Sequence, residues 1–321
     1  MTPDQLICDA IRAICRDKQP AGLYEPITYV LEAGGKRLRP LLTLIAAEMY
    51  GTEWQKVLPA ALAIEVFHNF TLMHDDVMDK APIRRGKPTV HVRWNTNTAI
   101  LSGDQMLIEA YKQLAQLPAD KLPRVLQMFN EMATGICEGQ QYDVDFETAT
   151  KVTIDDYIHM IRLKTSVLLA TALKTGAYMA DAPEEEQELL YDYGINIGLA
   201  FQLQDDILDV YGNPATFGKA VGGDILENKK TYMYLTALQQ ADDATLQELQ
   251  RWFDTKEEHQ PQEKIEAVRA IYTQLGIKGI CEEVMRKYTE QAFAILDKIK
   301  LPAEKKLILR ELGEHLLARK E

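Results

Sequence analysis

Apolar residues spaced three and four positions apart recur over nearly the whole chain, and this pattern limits the fold more than any other feature of the sequence. Such spacing places apolar side chains on one face of an α-helix. It predicts shorter helices near both ends of the chain and long helices over residues 54–80, 98–117, 121–147, 154–179 and 183–211. A run that alternates with period two, residues 89–94, is too short to build a sheet. We therefore predict an all-α fold, a helical bundle of about a dozen helices in a single domain over residues 1–321.

The composition disfavours several partners and locations. The formal net charge is −12, which argues against nucleic acid because phosphate backbones attract basic surfaces. The four cysteines have no CxxC spacing, as in proteins of a reducing compartment. The N-terminus carries acidic residues where a signal peptide needs an apolar core, and no apolar run reaches the roughly 20 residues that a membrane span requires. We expect a cytoplasmic protein that is not an integral membrane protein.

Two acidic motifs with the spacing DDxxD, Asp75–Asp79 and Asp205–Asp209, lie in apolar helical stretches. The first and last aspartates of each motif are roughly 40° apart on a helix, so their like charges repel. Carboxylates that face an apolar interior also carry a desolvation penalty. A hard divalent cation such as Mg²⁺ relieves both costs, and it takes one or two carboxylates together with water and phosphate oxygens. A solvated acidic face would explain a single motif, but it explains two motifs in apolar helices poorly.

Clusters of cations stand out against the acidic composition. Arg84 and Arg85 lie in a segment between two prolines, and an arginine fork can bind phosphate through two hydrogen bonds. The segment GGKRLRP, residues 34–40, brings three cations to the start of a predicted helix, a position that favours anions. Lys219 and Lys229 follow the second acidic motif. Lys164 lies within an apolar helix, where a lysine that reaches to the surface is the simpler reading of that residue on its own.

Together these motifs resemble the trans-isoprenyl diphosphate synthases, the polyprenyl synthetase family. The shared elements are GGKRLRP, HDDVMD followed by RR, GQxxD, Lys164-Thr165, FQxxDDxxD and GK…GGDIxxxKKT, in the order that the family uses. The resemblance implies an all-α bundle around a deep central cavity, of isoprenoid synthase type, and a homodimer. Its implied partners are isopentenyl diphosphate and an allylic diphosphate (dimethylallyl, geranyl or farnesyl).

The resemblance also implies roles for individual residues. About three Mg²⁺ ions per active site would stabilise the leaving diphosphate. The carboxylates that would bind them are Asp75, Asp79 and Asp205, supported by Asp76 and Asp209. The residues that would contact the allylic diphosphate are Arg84, Lys164 and Lys219, with Lys229 near the phosphates. The residues that would bind isopentenyl diphosphate are Lys36, Arg39, His68 and Arg85, and the substrate-binding set includes Gly35. The residues that would line the path of the reacting carbons are Gln140, Thr165 and Gln202.

The implied reaction is Mg²⁺-dependent ionisation, condensation and elimination that gives a short-chain, all-trans prenyl diphosphate. Phe70, which precedes the first acidic motif, resembles the aromatic floor of enzymes that make farnesyl or geranylgeranyl diphosphate. Ordinary core packing explains the same aromatic equally well.

Three alternatives stay open. A class I terpene cyclase shares the first motif, although its second motif usually differs from DDxxD. A non-catalytic subunit of a prenyl synthase typically loses one acidic motif. A helical scaffold that binds Ca²⁺ or a basic protein leaves Lys164-Thr165 and the paired arginines unexplained.

Overall fold

The computed structural model describes residues 2–212, 221–254 and 260–317. The helices up to the second acidic motif are α1 (Pro3–Ile14), α2 (Ala21–Leu31), α3 (Leu38–Met49), α4 (Trp54–Met78), α5 (Val90–Arg93), α6 (Thr96–Leu114), α7 (Leu122–Thr148), α8 (Ile154–Ile161), α9 (Val167–Met179) and α10 (Glu184–Tyr211). The helices after it are Gly223–Leu226, Tyr232–Gln240, Asp243–Trp252, Pro261–Gln274, Ile277–Lys298 and Ala303–Leu317. The prediction of an all-α fold is confirmed.

The sheet content of the described residues is one antiparallel hairpin, β1 (Ile83–Arg84) and β2 (Lys87–Pro88). The alternating run 89–94 is largely helical, because Val90–Arg93 form α5. The predicted helix 154–179 is interrupted by a turn of π-helix, Arg162–Ser166, that joins α8 to α9. π-Turns within α-helices occur frequently at functional sites.

Local sequence signals explain several helix ends. Thr153 caps α8 through a reciprocal pair of hydrogen bonds with Asp156. Gly51 follows α3 with a positive φ of 85°, a conformation that suits glycine. α4 ends at Met78, and its C-cap residue is Asp79, whose N–H donates to the carbonyl of Asp75. The first acidic motif therefore occupies the last turn of α4.

The chain divides into two compact units. The first unit comprises Met1–Met132, Leu168–Tyr191 and Ile299–Ile308, and the second comprises Ala133–Val167, Asp192–Lys298 and Leu309–Glu321. In the first unit α4 packs against α3 and α6, and its consecutive residues 60–69 are buried on all sides, as expected of the middle of a central helix. The second unit has its own core, with the large buried side chains Tyr193, Leu203 and Tyr272. Each acidic motif lies in a different unit.

Crossing a bilayer needs a helix that is both long and apolar, and none of the helices in the described ranges meets this requirement.

Candidate active site

In the first unit, the acidic motif at the end of α4 exposes its carboxylates unequally. Asp75 and Asp79 are half-buried, whereas Asp76 is buried and accepts a hydrogen bond from Arg84 Nε at 2.7 Å. Burial raises the pKa of Asp76, and the nearby guanidinium of Arg84 opposes that rise. Asp76 therefore fixes the position of Arg84, and Asp75 and Asp79 are the more accessible oxygen donors.

Arg84 and Arg85 lie on the β1–β2 hairpin, whose shape is set by its turn. Arg85 and Gly86 both have positive φ, 53° and 73°, as in the tight turns that match the twist of a hairpin. The hydroxyl of Thr89 donates to the carbonyl of Ala81 at 2.7 Å, and the hydroxyl of Tyr29 donates to the carbonyl of Pro88 at 2.7 Å. These bonds hold the hairpin against the rest of the unit.

The glycine pair before α3 makes room for a guanidinium group. Arg85 Nη1 donates to the carbonyl of Gly34 at 2.6 Å. A Cβ atom on Gly35 would lie 2.9 Å from Arg85 Cζ, and the φ of Gly35 is +120°. The structure thus places Gly35, a predicted binding residue, directly beside Arg85.

Arg37 has a role that the sequence did not indicate. It is buried, at 8% exposure, and donates to Glu65 Oε1 at 2.6 Å and to the carbonyl of Leu31. Glu65 is itself buried in α4 and also accepts from Asn69. Because Arg37 is the residue that precedes α3, this ion pair fixes the start of α3. Its neighbours Lys36, which is exposed, and Arg39, which is half-buried, are the cations left near the surface.

The pKa of His68 reflects both its burial and the positive charge of the surrounding arginines. Its pKa is lowered well below the ordinary value of 6.5, first because it is buried and then because positive charge surrounds it. The contributing guanidinium groups are those of Arg39, Arg85, Arg84 and Arg37. His68 is therefore neutral and offers one N–H donor, and the region as a whole suits an anion with several charges.

In the second unit, the π-turn Arg162–Ser166 lies where two helices approach closely. A Cβ atom on Gly139 of α7 would lie 2.4 Å from the backbone nitrogen of Lys164. A Cβ atom on Gly198 of α10 would lie 2.6 Å from Cα of Ser166. Any side chain at either glycine would displace the π-turn, so close packing explains both glycines.

The π-turn presents two predicted site residues to a pocket. Lys164 Nζ donates to Asp143 Oδ2 at 2.5 Å, and Thr165 Oγ1 donates to Gln202 Oε1 at 3.0 Å. Lys164 is therefore a partly buried, paired cation and not a lysine that reaches out to bulk solvent. The polar residues that line the pocket are Asp143, Glu147, Tyr157, Lys164, Thr165, Gln202, Asp206, Asp224, Lys229, Lys230 and Thr231.

The middle carboxylate of the second acidic motif is held by neutral donors. Asp206 is 3% exposed, accepts from Gln202 Nε2 at 3.1 Å and accepts from the hydroxyl of Tyr157. Burial and the nearby carboxylate of Asp224 raise the pKa of Asp206 well above its ordinary value. Burial likewise raises the pKa of Tyr157, so its hydroxyl stays protonated as a donor.

Asp224, in the short helix that follows α10, contacts the last aspartate of this motif. Asp209 Oδ2 accepts from the backbone N–H of Asp224 at 3.1 Å, which is the start of the short helix Gly223–Leu226. Lys230 Nζ donates to the carbonyls of Phe146 and Ala149, at 2.5 and 2.6 Å, and so caps the C-terminal end of α7. Lys229 pairs with Glu227 at 3.0 Å.

The structure brings most of the predicted residues together within their own units. Gln140 does not line the described pocket, and its buried Oε1 has no hydrogen-bond partner among the described residues. Lys219 lies outside the residues that the structure describes. The residues that the sequence reading missed are Arg37 as a buried anchor, Glu65, Tyr157, Asp206 as a hydrogen-bond acceptor, and Asp224.

The carboxylates are compatible with a magnesium site that is completed by substrate. In the described parts of the chain, no group of three His, Cys, Asp or Glu side chains forms a metal cage of its own. Asp75 and Asp79 are half-buried oxygen donors one turn apart, and Asp205 is half-buried on α10. Mg²⁺ characteristically takes few protein carboxylates and obtains its other ligands from water and phosphate. Each motif therefore offers oxygen donors of the kind that this ion binds.

Comparison with known proteins agrees with the fold and the motifs. The family model described as polyprenyl synthetase matches residues 20–272. A geranylgeranyl diphosphate synthase of Methanosarcina mazei is 38% identical over 311 residues, which cover 94% of this chain and 91% of that protein. A crystal structure of a geranylgeranyl pyrophosphate synthase has 47% identity and a TM-score of 0.94, and covers 99% of this chain and 98% of that one.

Another similar structure was solved with ligands. It is a geranylgeranyl pyrophosphate synthase from Corynebacterium glutamicum in complex with isoprenyl diphosphate and magnesium, with 27% identity, a TM-score of 0.89 and 99% coverage of both chains. These matches extend over nearly the whole chain. The chain belongs to the polyprenyl synthetase family, and its fold is the all-α fold of the prenyl synthases.

Proposed function

We propose that this protein is a short-chain trans-isoprenyl diphosphate synthase that condenses isopentenyl diphosphate with an allylic diphosphate. The observation that carries the proposal is that each acidic motif lies beside a set of groups suited to a diphosphate substrate. In the first unit this set is the arginine cluster around the buried His68. In the second unit it is the pocket that Lys164 and Thr165 share with the second motif. The matched family supports the same assignment.

Asp75, Asp79 and Asp205 are the proposed magnesium ligands, and the ions number about three when substrate is bound. Bound Mg²⁺ would supply electrostatic stabilisation of the leaving diphosphate. Asp76 supports this site by holding Arg84, and Asp209 supports it by accepting from the N–H of Asp224.

The protein groups then bind and orient the two substrates. Arg84 and Lys164 contact the allylic diphosphate, with Lys219 and Lys229 near it. Lys36, Arg39, His68 and Arg85 bind isopentenyl diphosphate, and Gly35 gives Arg85 its space. Thr165 and Gln202 line the path of the reacting carbons. A place for Gln140 along this path stays a prediction, since Gln140 does not line the described pocket.

In the reaction the allylic C–O bond breaks and its electron pair leaves with diphosphate. The π-electrons of isopentenyl diphosphate form the new C–C bond, and a proton then leaves the condensed chain to the departing diphosphate. Fixed polar groups in a site that excludes water stabilise the charge that develops. The mechanism requires no nucleophilic side chain.

Product length depends on an aromatic cluster in the first unit. Ring centroids of Phe70 and Phe67 are 5.5 Å apart, Phe67 and Phe129 are 5.2 Å apart, and Phe129 and Tyr111 are 5.4 Å apart. Phe70 is half-buried, and its ring also packs against the imidazole of His74, with centroids 4.8 Å apart. We propose that it limits the product to farnesyl or geranylgeranyl length, and the relative from Methanosarcina mazei favours the longer of the two. Phe70→Ala should lengthen the product, and an unchanged product distribution would show that Phe70 is not the floor.

One assay tests the function directly. The protein is incubated with Mg²⁺, labelled isopentenyl diphosphate and primers of five, ten or fifteen carbons, and the products are sized. Extension of at least one primer is expected, and folded protein that extends none would defeat the proposal. Turnover of an allylic diphosphate without isopentenyl diphosphate would instead favour a terpene cyclase. A single prenyl synthase domain over residues 1–321, a homodimer and a cytoplasmic location remain predictions.

A further inference from the structure

Tyr157 lies at one end of a chain of hydrogen bonds that reaches the reaction pocket of the second unit. It belongs to α8, is 3% exposed, and donates its hydroxyl proton to Asp206. Asp206 is equally buried, and its other oxygen accepts from Gln202 Nε2 at 3.1 Å. Gln202 Oε1 accepts from Thr165 Oγ1 at 3.0 Å. The order of the chain is therefore Tyr157, Asp206, Gln202, Thr165.

The direction of each bond follows from the chemistry at the buried end. Asp206 accepts at both of its oxygens, from the Tyr157 hydroxyl at one and from the NH₂ side of the Gln202 amide at the other. That contact turns the amide oxygen towards Thr165, whose single hydroxyl proton is then used to donate to Gln202. The oxygen lone pairs of Thr165 remain for whatever occupies the pocket. The hydroxyl consequently presents negative partial charge there.

We propose that Tyr157 is a positioning residue of the condensation reaction, because it anchors the chain that turns the lone pairs of Thr165 towards the reacting carbons. This inference rests on the proposed function, in which positive charge develops on the allylic carbons. A fixed oxygen that needs no reorientation at that moment is an effective stabiliser. The hydroxyl proton of Tyr157 is used in its bond to Asp206, so in this scheme Tyr157 acts through Asp206 and Gln202.

Removal of the Tyr157 hydroxyl would allow the side chains of Asp206 and Gln202 to rotate. Without Tyr157 as donor, one oxygen of the buried Asp206 lacks its partner, and buried polar groups seek a replacement. Rotation of the carboxylate would weaken its bond to Gln202, and the amide would no longer have one preferred orientation. Thr165 could then direct its proton into the pocket, which opposes a developing cation.

The test compares Tyr157→Phe with Tyr193→Phe. Tyr193 is a matched control because it is buried in the same unit, at 2% exposure, and its hydroxyl donates to the carbonyl of Leu309 at 2.7 Å. We expect Tyr157→Phe to lower kcat by about 10- to 100-fold, the usual range for outer-layer hydrogen-bond partners. The KM values for both diphosphates should stay within about twofold, since the diphosphate contacts are unchanged. Tyr193→Phe should lower Tm by about as much as Tyr157→Phe does and should leave kcat unchanged.

A double-mutant cycle separates positioning from general loss of structure. In a Thr165→Val background the hydroxyl that Tyr157 orients is absent, so Tyr157→Phe should lower kcat by about twofold at most. A full additional loss in that background would mean that Tyr157 does not act through Thr165. Equal kcat values for Tyr157→Phe and Tyr193→Phe in the wild-type background would also overturn the inference.

If Tyr157→Phe does not fold, a second variant replaces both buried partners. Tyr157→Phe combined with Asp206→Leu leaves no orphaned carboxyl group, and its remaining cost is the Gln202 amide NH₂, which loses its acceptor. It should show the same loss of kcat, and that loss should again vanish with Thr165→Val. Retention of wild-type kcat by this variant would refute the inference. The wild-type protein is assayed first for primer extension, so failure of the proposed function is recognised separately.

Discussion

The two acidic motifs have the same spacing but are held in different ways. In both, the middle carboxylate is buried, at 6% exposure for Asp76 and 3% for Asp206. Asp76 is held by a cation, Arg84, whereas Asp206 is held by the neutral donors Tyr157 and Gln202. Burial raises the pKa of both carboxyl groups, but Arg84 opposes the rise at Asp76 and Asp224 adds to it at Asp206.

This difference indicates that one sequence pattern serves two physical tasks. The first unit gathers guanidinium groups around its motif and uses net positive charge, which suits anionic substrates. The second unit holds its buried carboxyl group by directional hydrogen bonds from the neutral donors Tyr157 and Gln202, and these bonds fix the orientation of Thr165. Charge acts over several ångströms and tolerates movement, whereas a hydrogen-bond chain requires each atom in place.

The largest expected effect concerns the outer aspartates, which we expect to be equivalent in the two motifs. Asp75→Ala and Asp205→Ala should each lower kcat/KM by about 10³-fold or more, because each removes a proposed magnesium ligand. Steady-state kinetics over a Mg²⁺ titration measure this, with Asp9→Ala, an exposed aspartate of α1, as the control. Activity near the wild-type level in only one of the two variants would show that the motifs share the metal unequally.

The buried ion pair between Arg37 and Glu65 in the first unit predicts a large loss of stability when its cation is removed. Arg37→Met should lower the free energy of unfolding by about 3 kcal/mol, because it leaves Glu65 buried without its cation. Denaturant unfolding measures the loss. Arg12→Met, which removes an exposed pair with Asp9, should change stability by less than about 0.5 kcal/mol.

The double variant Arg37→Met with Glu65→Leu tests the stated cause. It removes both charges and should recover much of the lost stability, since no unpaired charge remains. If the double variant is as unstable as Arg37→Met, the loss arises from packing and not from the unpaired carboxylate.

The close packing around the π-turn of the second unit predicts opposite changes in stability for two glycines of α7. In Gly139→Ala the new methyl group would meet the backbone of Lys164 at 2.4 Å, so we expect a loss of about 2 kcal/mol in stability and a lower kcat. At Gly135 the nearest atom, Leu163 Cδ2, is 3.5 Å away. Gly135→Ala should therefore gain up to about 1 kcal/mol from helix propensity. Thermal unfolding and kcat distinguish the two, and equal behaviour would mean that the π-turn is not held by this contact.

Much of the fold and many of the candidate site residues were predictable because their signals are local. Helical periodicity located the long helices, and the acidic and basic motifs were read directly from adjacent residues. The π-turn was not predictable, because it depends on Gly139 and Gly198, which approach it from helices elsewhere in the chain.

Two residues were missed for a similar reason. Arg37 looked like one of three equivalent cations in GGKRLRP, and only Glu65 on another helix distinguishes it as a buried anchor. Tyr157 lies on the buried face of α8, where an aromatic residue is indistinguishable from ordinary core until its partner Asp206 is located. In both cases a contact between distant segments determines the role.

The smallest effect tests the positive field of the first unit through His68. Because its pKa in the folded protein is far below 6.5, the unfolded chain binds an additional proton below that pH, and stability is lost as the pH falls through it. Between pH 7 and pH 6 this contribution should cost at most about 1 kcal/mol. His68→Gln keeps an N–H donor and cannot titrate, so its loss of stability over the same interval should be smaller. Denaturant unfolding at both pH values measures the difference. Identical pH dependence in the two proteins would mean that the pKa of His68 is the same in the folded and unfolded chains, and that burial and the surrounding arginines do not lower it.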